Sequence, residues 1–146
     1  MNNPTTFYIA RHGETEHNVQ GIIQGQNDSP LTTKGLEQAK NLASDLKEVK
    51  FDLVLSSDLL RAKRTAEVVA KEQALEVEAT EMLRERNWGE LEGRPSAEYN
   101  KNFREYIQAL SHEERYTKQI VPGFESDEEM MKRFIPFIRE TALAVS

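Results

Sequence analysis

A histidine and an arginine stand side by side at the end of a short apolar run near the start of the chain. Arg11 and His12 follow Thr6–Ala10, which we interpret as a buried strand, and Gly13 follows them. In open α/β sheets the carboxyl ends of the strands form the edge where ligands bind. An imidazole there can act as a nucleophile, and an adjacent guanidinium can hold phosphate oxygens. A lone histidine at such a position is more often a capping or surface residue, so other parts of the chain must decide its role.

A second arginine is predicted to face the same sheet edge. Arg61 lies in the first turn of a helix predicted over Leu59–Lys71, directly after a strand predicted over Phe51–Leu55. Arginine suits phosphate better than lysine because its planar fork donates to two oxygens at once. The neighbouring Lys63 and Arg64 are assigned to a solvated helix face.

Acidic residues cluster after the third predicted strand, Leu75–Ala79. Transfer of a phosphoryl group to an imidazole expels an alkoxide, which needs a proton from a nearby acid. The residue types alone leave four candidates for that acid open: Glu81, Glu85, Glu90 and Glu92.

The elements that must position these side chains alternate along the chain. Besides the three strands, apolar residues at every third or fourth position predict helices over Thr33–Glu48 and Ala97–Leu110. Ser126, with Glu129 at capping-box distance, begins a last helix that Pro136 should kink. This order predicts an α/β fold with three αβα layers. We expect a mostly parallel, doubly wound sheet with a small helical excursion over the active-site edge.

The composition restricts the class of protein. The 146 residues suit a single domain, 38% are apolar and 30% are charged. The net charge of −6 argues against nucleic-acid binding, and it means that an anionic substrate needs locally placed arginines. The chain has no cysteine, which excludes disulfides and thiol catalysis. The sequence contains neither a long apolar segment nor a signal-peptide pattern, so we expect a cytoplasmic protein without a membrane partner.

Three motifs resemble those of one known family. Arg11–Glu16 resembles the R-H-G-E-T signature of the histidine phosphatase superfamily, which includes the phosphoglycerate mutases. Ser56–Ala66 resembles the family's S-S-[DP]-x-x-R-[AT]-x-x-T-A motif, and Leu83–Gly93 resembles its L-x-E-x-x-x-G-x-x-E-G motif. Two weaker matches are Asn18–Gly35 and Pro122–Ser126, and together the motifs cover the chain from Phe7 to about Arg139.

The resemblance implies specific roles for residues of this chain. It implies that His12 is the nucleophile, that Arg11 and Arg61 bind the phosphoryl group, and that Glu85 is the general acid. It also implies that Asn18 and the backbone near Gln24 and Gly25 contact the phosphate. Trp88 stands where the family often places an aromatic residue beside the substrate, although packing in a loop is an equally good interpretation.

The implied function is hydrolysis of phosphate monoesters through a phosphohistidine, without a metal or other cofactor. The expected substrate is a small phosphorylated metabolite, and a homodimer is possible. A phosphoglycerate mutase is the nearest alternative, but mutases of the family carry a longer, more basic insertion. Residues 93–110 hold only three bases here, which are Arg94, Lys101 and Arg104.

The second histidine of the family pattern has no counterpart in this sequence. Family members carry a second histidine late in the chain, after a strand and before a glycine, whereas His17 and His112 stand in neither setting. We therefore expect a single histidine phosphatase domain over residues 1–146 that is truncated at its C-terminus. This absence keeps a third alternative open, a phosphate-binding or regulatory module without turnover.

Overall fold

The computed structural model describes residues 4–145, and in residues 98, 100–102 and 104 it describes the backbone alone. The predicted bases Lys101 and Arg104 therefore lie outside the described side chains. The helices of the described chain are α1 (Glu16–Gln20), α2 (Thr33–Asp45), α3 (Leu60–Glu72), α4 (Ser96–Ala109), α5 (His112–Thr117) and α6 (Asp127–Ala144). The strands are β1 (Val54–Ser57) and β2 (Val77–Thr80), and short 3₁₀ turns span Glu81–Leu83 and Gly89–Leu91.

Strands β1 and β2 pair in parallel, with Val54 opposite Val77 and Ser57 opposite Thr80. Parallel neighbours need a crossover connection, and α3 provides it. Helix α2 packs on α3, and α3 packs on both strands. This combination of helices with a parallel sheet confirms the α/β class. Strand β1 begins three residues later than its apolar run predicted, and β2 begins two residues later.

The segment Thr6–Ala10, predicted as a buried strand, is not a strand in the structure. None of the backbone hydrogen bonds between described residues involves it. Its apolar side chains are largely exposed, Ile9 by 89% and Tyr8 by 57%, although the Tyr8 ring packs edge-on against Phe51. The predicted burial is therefore wrong for the described chain. A strand also needs a hydrogen-bonded neighbour, and within residues 4–145 this segment has none.

The helices begin close to where the sequence places them, because their start signals are local. The side chain of Ser126 accepts from the Glu129 N–H, and the Glu129 carboxylate accepts from the Ser126 N–H. Helix α6 therefore starts with a complete capping box. Helix α6 is continuous through Pro136. The polar composition of residues 111–123 predicts an irregular stretch, but this stretch contains α5, which starts with a capping box of Ser111 and Glu114. No helix of the described chain combines the length and the apolarity that crossing a membrane requires.

The buried face of helix α3 differs in part from the predicted one. The apolar spacing predicts a buried face of Leu59, Ala62, Ala66 and Val69. Leu59 and Val69 are buried and Ala62 and Ala66 are half-buried, whereas Arg61, Thr65 and Ala70 are buried in addition. A guanidinium and a hydroxyl thus replace part of the apolar face. Buried polar groups are costly unless they are hydrogen-bonded, and both of these point toward the His12 turn.

Candidate active site

His12 begins the turn that leads from the extended N-terminal segment to α1. Its Nδ1 lies 2.7 Å from the Gly13 carbonyl oxygen. Because a carbonyl can only accept, this contact places the proton on Nδ1 and the lone pair on Nε2. The turn itself is held by the Gly13 N–H, which donates to Thr65 Oγ1 at 3.1 Å. The ring is therefore oriented from the backbone, with the Nε2 lone pair directed toward Arg61.

Arg61 is the most deeply buried charge of the site, with 2% of its surface exposed. Its Nε–H donates to His12 Nε2 at 3.2 Å. Its Nη1 and Nη2 donate to the carbonyl oxygens of Asn27 and Gly25 at 2.9 and 2.6 Å. The Asp28 carboxylate lies 3.8 Å away. The loop between α1 and α2 thus wraps the guanidinium and holds it against the imidazole.

The surroundings of His12 favour its neutral form. Burial lowers the pKa of His12, and the positive charges of Arg61 and Arg11 lower it further. The hydrogen bond to Gly13 and the negative charge of Glu85 act in the opposite direction, but the pKa stays below its usual 6.5. An imidazole in this state keeps its lone pair at neutral pH, as a nucleophile must.

Arg11 and Glu85 lie at the exposed rim of the site. Both are near enough to change the pKa of His12, and Glu85 also counteracts the burial that lowers the pKa of Arg61. The structure thus brings His12, Arg11, Arg61 and Glu85 into one neighbourhood. Two guanidinium groups thus lie near His12, on a chain of net charge −6.

Glu85 is held between two arginines that are anchored in different directions. Arg84 forms a fork with Asp58, at 2.7 and 2.5 Å, just after β1. Arg86 pairs with Asp127 at the start of α6 and donates to the Glu125 carbonyl at 3.1 Å. Because neighbours on both sides are fixed, the backbone of Glu85 is fixed as well.

The predicted phosphate ligands Asn18 and Gln24 have internal partners. The Thr15 hydroxyl lies 3.0 Å from Asn18 Oδ1 and 2.8 Å from Gln24 Oε1. Asn18 completes the capping box that begins α1. Gly25 contributes its carbonyl to Arg61. These residues shape the loop around the site, and their contact with a phosphate stays a prediction.

Trp88 packs among other rings. It meets Tyr99 and Phe124 edge-on, with ring centroids 5.3 and 5.5 Å apart, and it is half-buried. This is the packing role that the sequence left open. Its place beside a substrate stays a prediction.

Two residues have a supporting role that sequence reasoning did not assign to them. One is Thr65, described above. The other is Glu92, whose Oε1 accepts from the backbone N–H groups of Gln26 and Trp88 at 2.8 and 3.0 Å. It joins the loop that holds Arg61 to the loop that follows Glu85. Both residues stand inside the quoted motifs, which is the signal that could have found them.

No group of three or more His, Cys, Asp or Glu side chains suited to a metal ion occurs among the described residues. The charged groups of the site are instead arginines and one glutamate. This donor set suits an anion that is held by guanidinium groups.

The sequence of this chain is similar to that of known proteins over most of its length. The model of the histidine phosphatase superfamily (branch 1) matches residues 7–144. A protein of Escherichia coli O139:H28 named "Probable phosphoglycerate mutase GpmB" is 41% identical over 117 residues, which are 80% of this chain and 49% of that protein. This chain therefore spans about half the length of the curated relatives it matches.

Solved structures show the same likeness. A mycobacterial glucosyl-3-phosphoglycerate phosphatase in complex with VO3 superposes with a TM-score of 0.78 at 30% identity, covering 91% of this chain and 62% of that one. The α-ribazole phosphatase from Shigella flexneri gives a TM-score of 0.74 at 33% identity, covering 91% and 65%.

Proposed function

The chain belongs to the histidine phosphatase superfamily, and on that premise we propose that it hydrolyses phosphate monoesters through a phosphohistidine on His12. One observation carries the proposal: a neutral imidazole, oriented by the Gly13 carbonyl, has its free nitrogen beside the buried guanidinium of Arg61. The substrate class that fits is a small phosphorylated metabolite, because two arginines supply the positive charge that the chain as a whole lacks.

In the first step, His12 Nε2 attacks phosphorus in line with the leaving oxygen. The phosphorus–oxygen bond of the ester breaks as the phosphorus–nitrogen bond forms. Glu85 donates its proton to the departing alkoxide, which leaves as an alcohol. The weak bond from Arg61 Nε to Nε2 yields as phosphorus approaches, and Arg61 then donates to a phosphoryl oxygen together with Arg11 and Asn18.

In the second step, water attacks the phosphohistidine. Glu85, now a carboxylate, accepts a proton from this water, and the phosphorus–nitrogen bond breaks. Inorganic phosphate leaves, and His12 and Glu85 return to their starting forms. The scheme needs no metal, because guanidinium groups neutralise the phosphoryl charge.

The proposal is tested by hydrolysis of an aryl phosphate in the presence of a chelator. We expect turnover by the chain and a loss of at least about a thousandfold in His12→Ala, since the nucleophile is removed. His112→Ala is the matched control, because His112 is exposed at the start of α5. Equal turnover by His12→Ala would refute the scheme. Binding of vanadate without any turnover would favour the phosphate-binding module.

A mutase is the second candidate, and the name of the curated relative favours it. A mutase returns the phosphoryl group to a hydroxyl of the substrate, whereas a phosphatase passes it to water. With a phosphoglycerate as substrate, we expect release of inorganic phosphate. Formation of the isomeric phosphoglycerate without phosphate release would support the mutase instead.

A further inference from the structure

We infer that Thr65 is a positioning residue whose hydroxyl holds His12 and Arg61 in one fixed relative orientation. Thr65 lies on α3, one helical turn after Arg61, and only 6% of it is exposed. No substrate contact is assigned to it. The consequence for turnover rests on the proposed function, whereas the effect on the imidazole does not.

The Thr65 hydroxyl uses both of its hydrogen-bonding roles. It accepts from the Gly13 N–H at 3.1 Å, across 52 residues of sequence. It donates to the Arg61 carbonyl at 2.8 Å. The first bond reaches the turn that carries the nucleophile, and the second reaches the residue that binds the anion.

These bonds close a ring of contacts around the imidazole. Gly13 accepts from His12 Nδ1, and Arg61 donates to His12 Nε2. Both nitrogens of the ring are therefore held by residues that the same hydroxyl joins. Without that hydroxyl, the Gly13 turn and the Arg61 turn could shift relative to each other, and the imidazole would lose its single tautomer.

A threonine hydroxyl in a helix commonly donates to the carbonyl four residues earlier, so that bond alone would mean little. Thr141 on α6 does the same with the Phe137 carbonyl at 2.9 Å. What distinguishes Thr65 is the additional bond from Gly13. Thr141→Val therefore provides a matched control, because it removes a hydroxyl with the same helical bond far from His12 in sequence.

The first experiment reads the tautomer of His12 without requiring turnover. Thr65→Val keeps the shape of the side chain and removes the hydroxyl, and Thr65→Ser keeps the hydroxyl. Ring ¹⁵N chemical shifts are measured at high pH, with His12→Ala assigning the signals. We expect a single Nδ1–H tautomer in the parent chain, Thr65→Ser and Thr141→Val, and a mixture of tautomers in Thr65→Val. A single unchanged tautomer in Thr65→Val would overturn the inference.

The second experiment measures aryl phosphate hydrolysis by the same variants. We expect kcat to fall about tenfold or more in Thr65→Val with a smaller change in KM. A wrong orientation of His12 and Arg61 slows the chemical step more than it weakens the binding of the substrate. Thr65→Ser should recover most of that loss. A loss that Thr65→Ser does not recover would overturn the inference, since it would assign the effect to the methyl group. Thermal unfolding shows that each variant is folded, and Thr65→Ala replaces Thr65→Val should the latter not fold.

The two readouts separate the inference from the proposed function. A parent chain that hydrolyses nothing would refute the proposed function, while the tautomer measurement would still decide the role of Thr65.

Discussion

Five influences act on the pKa of His12, three that lower it and two that raise it, and their sum predicts a pH dependence. Burial and two guanidinium groups hold its pKa below 6.5. The neutral nucleophile therefore persists to lower pH than a free imidazole would, and the acid limb of kcat/KM should lie below 6.5. In the unfolded chain the same imidazole binds its proton more readily, so acidification through 6.5 should also reduce stability.

Arg11 offers a direct test of that charge effect. In Arg11→Gln one of the positive charges that lower the pKa of His12 is gone, so the pKa should rise. The measurement is an NMR titration of the His12 ring. Arg94→Gln is the control, because Arg94 is exposed and has no influence assigned on His12. An unchanged or lower pKa in Arg11→Gln would contradict the account.

Glu85 should matter most when the leaving group is poor. Without an acid, an alkoxide leaves slowly, whereas a nitrophenolate leaves well unaided. We expect Glu85→Gln to slow hydrolysis of an alkyl phosphate by about 10²- to 10⁴-fold and that of a nitrophenyl phosphate much less. Exposed Glu90 provides the control variant Glu90→Gln. Equal slowing of both substrates would argue against Glu85 as the acid.

At the scale of elements, α6 holds the loop that carries Glu85. Arg133 forks onto Glu125 at 2.5 and 2.8 Å, and its Nη1 donates to the Met82 carbonyl at 2.8 Å. Glu125 also accepts from the Asn87 N–H at 3.1 Å. Burial opposes ionisation of Glu125, but these hydrogen bonds outweigh it and hold the pKa of the carboxyl below 4.5.

This network predicts the effect of Glu125→Gln. The substitution leaves Arg133, which is only 18% exposed, without its charged partner, so the free energy of unfolding should fall by about 2 kcal/mol. The difference from the parent chain should shrink as the pH falls from 4.5 toward the lower pKa of folded Glu125, because the unfolded chain takes up the proton first. Denaturant unfolding at several pH values measures both. Glu128→Gln, which removes an exposed pair with Lys132, should cost far less.

Local signals and long-range contacts differ in what the sequence can predict. The capping box of Ser126 and Glu129 is complete within four residues, and α6 begins where it predicts. The fork between Arg84 and Asp58 spans 26 residues, and nothing local indicates it. The Thr65 bond to Gly13 is of the same kind. Sequence therefore predicts the helices other than α5 and proposes the catalytic candidates, while the side chains that fix those candidates depend on the fold.

At the scale of the molecule, the described chain leaves apolar surface in its N-terminal segment. Phe7, Tyr8 and Ile9 are exposed, and their backbone groups make no ladder with another strand of the described chain. The prediction of a strand over Thr6–Ala10 is wrong here because a strand needs a second segment to pair with, and the described chain offers none. An apolar segment whose backbone groups have no strand partner is a template for association.

We therefore expect the chain to self-associate as its concentration rises, and Ile9→Lys to reduce this. A charge on the most exposed apolar side chain of the segment disfavours pairing. Sedimentation velocity over a range of concentrations measures the effect. Leu143→Lys removes an apolar side chain that is 74% exposed at the end of α6, and it should leave association unchanged. Association that Ile9→Lys leaves unaltered would show that another surface is responsible.

The turn of His12 also abuts the beginning of α2 with no side chain between them. A Cβ at Gly13 would lie 2.3 Å from the Gly35 carbonyl oxygen, and a Cβ at Gly35 would lie 2.0 Å from the Glu14 carbonyl oxygen. Neither backbone can give way without moving the other. In a mutational scan, position 35 should thus be as intolerant as position 13, although it lies outside the signature that contains His12. We expect functional variants of this chain to keep glycine at position 35. The reason is the close approach of the Glu14 backbone and not a contact with a ligand.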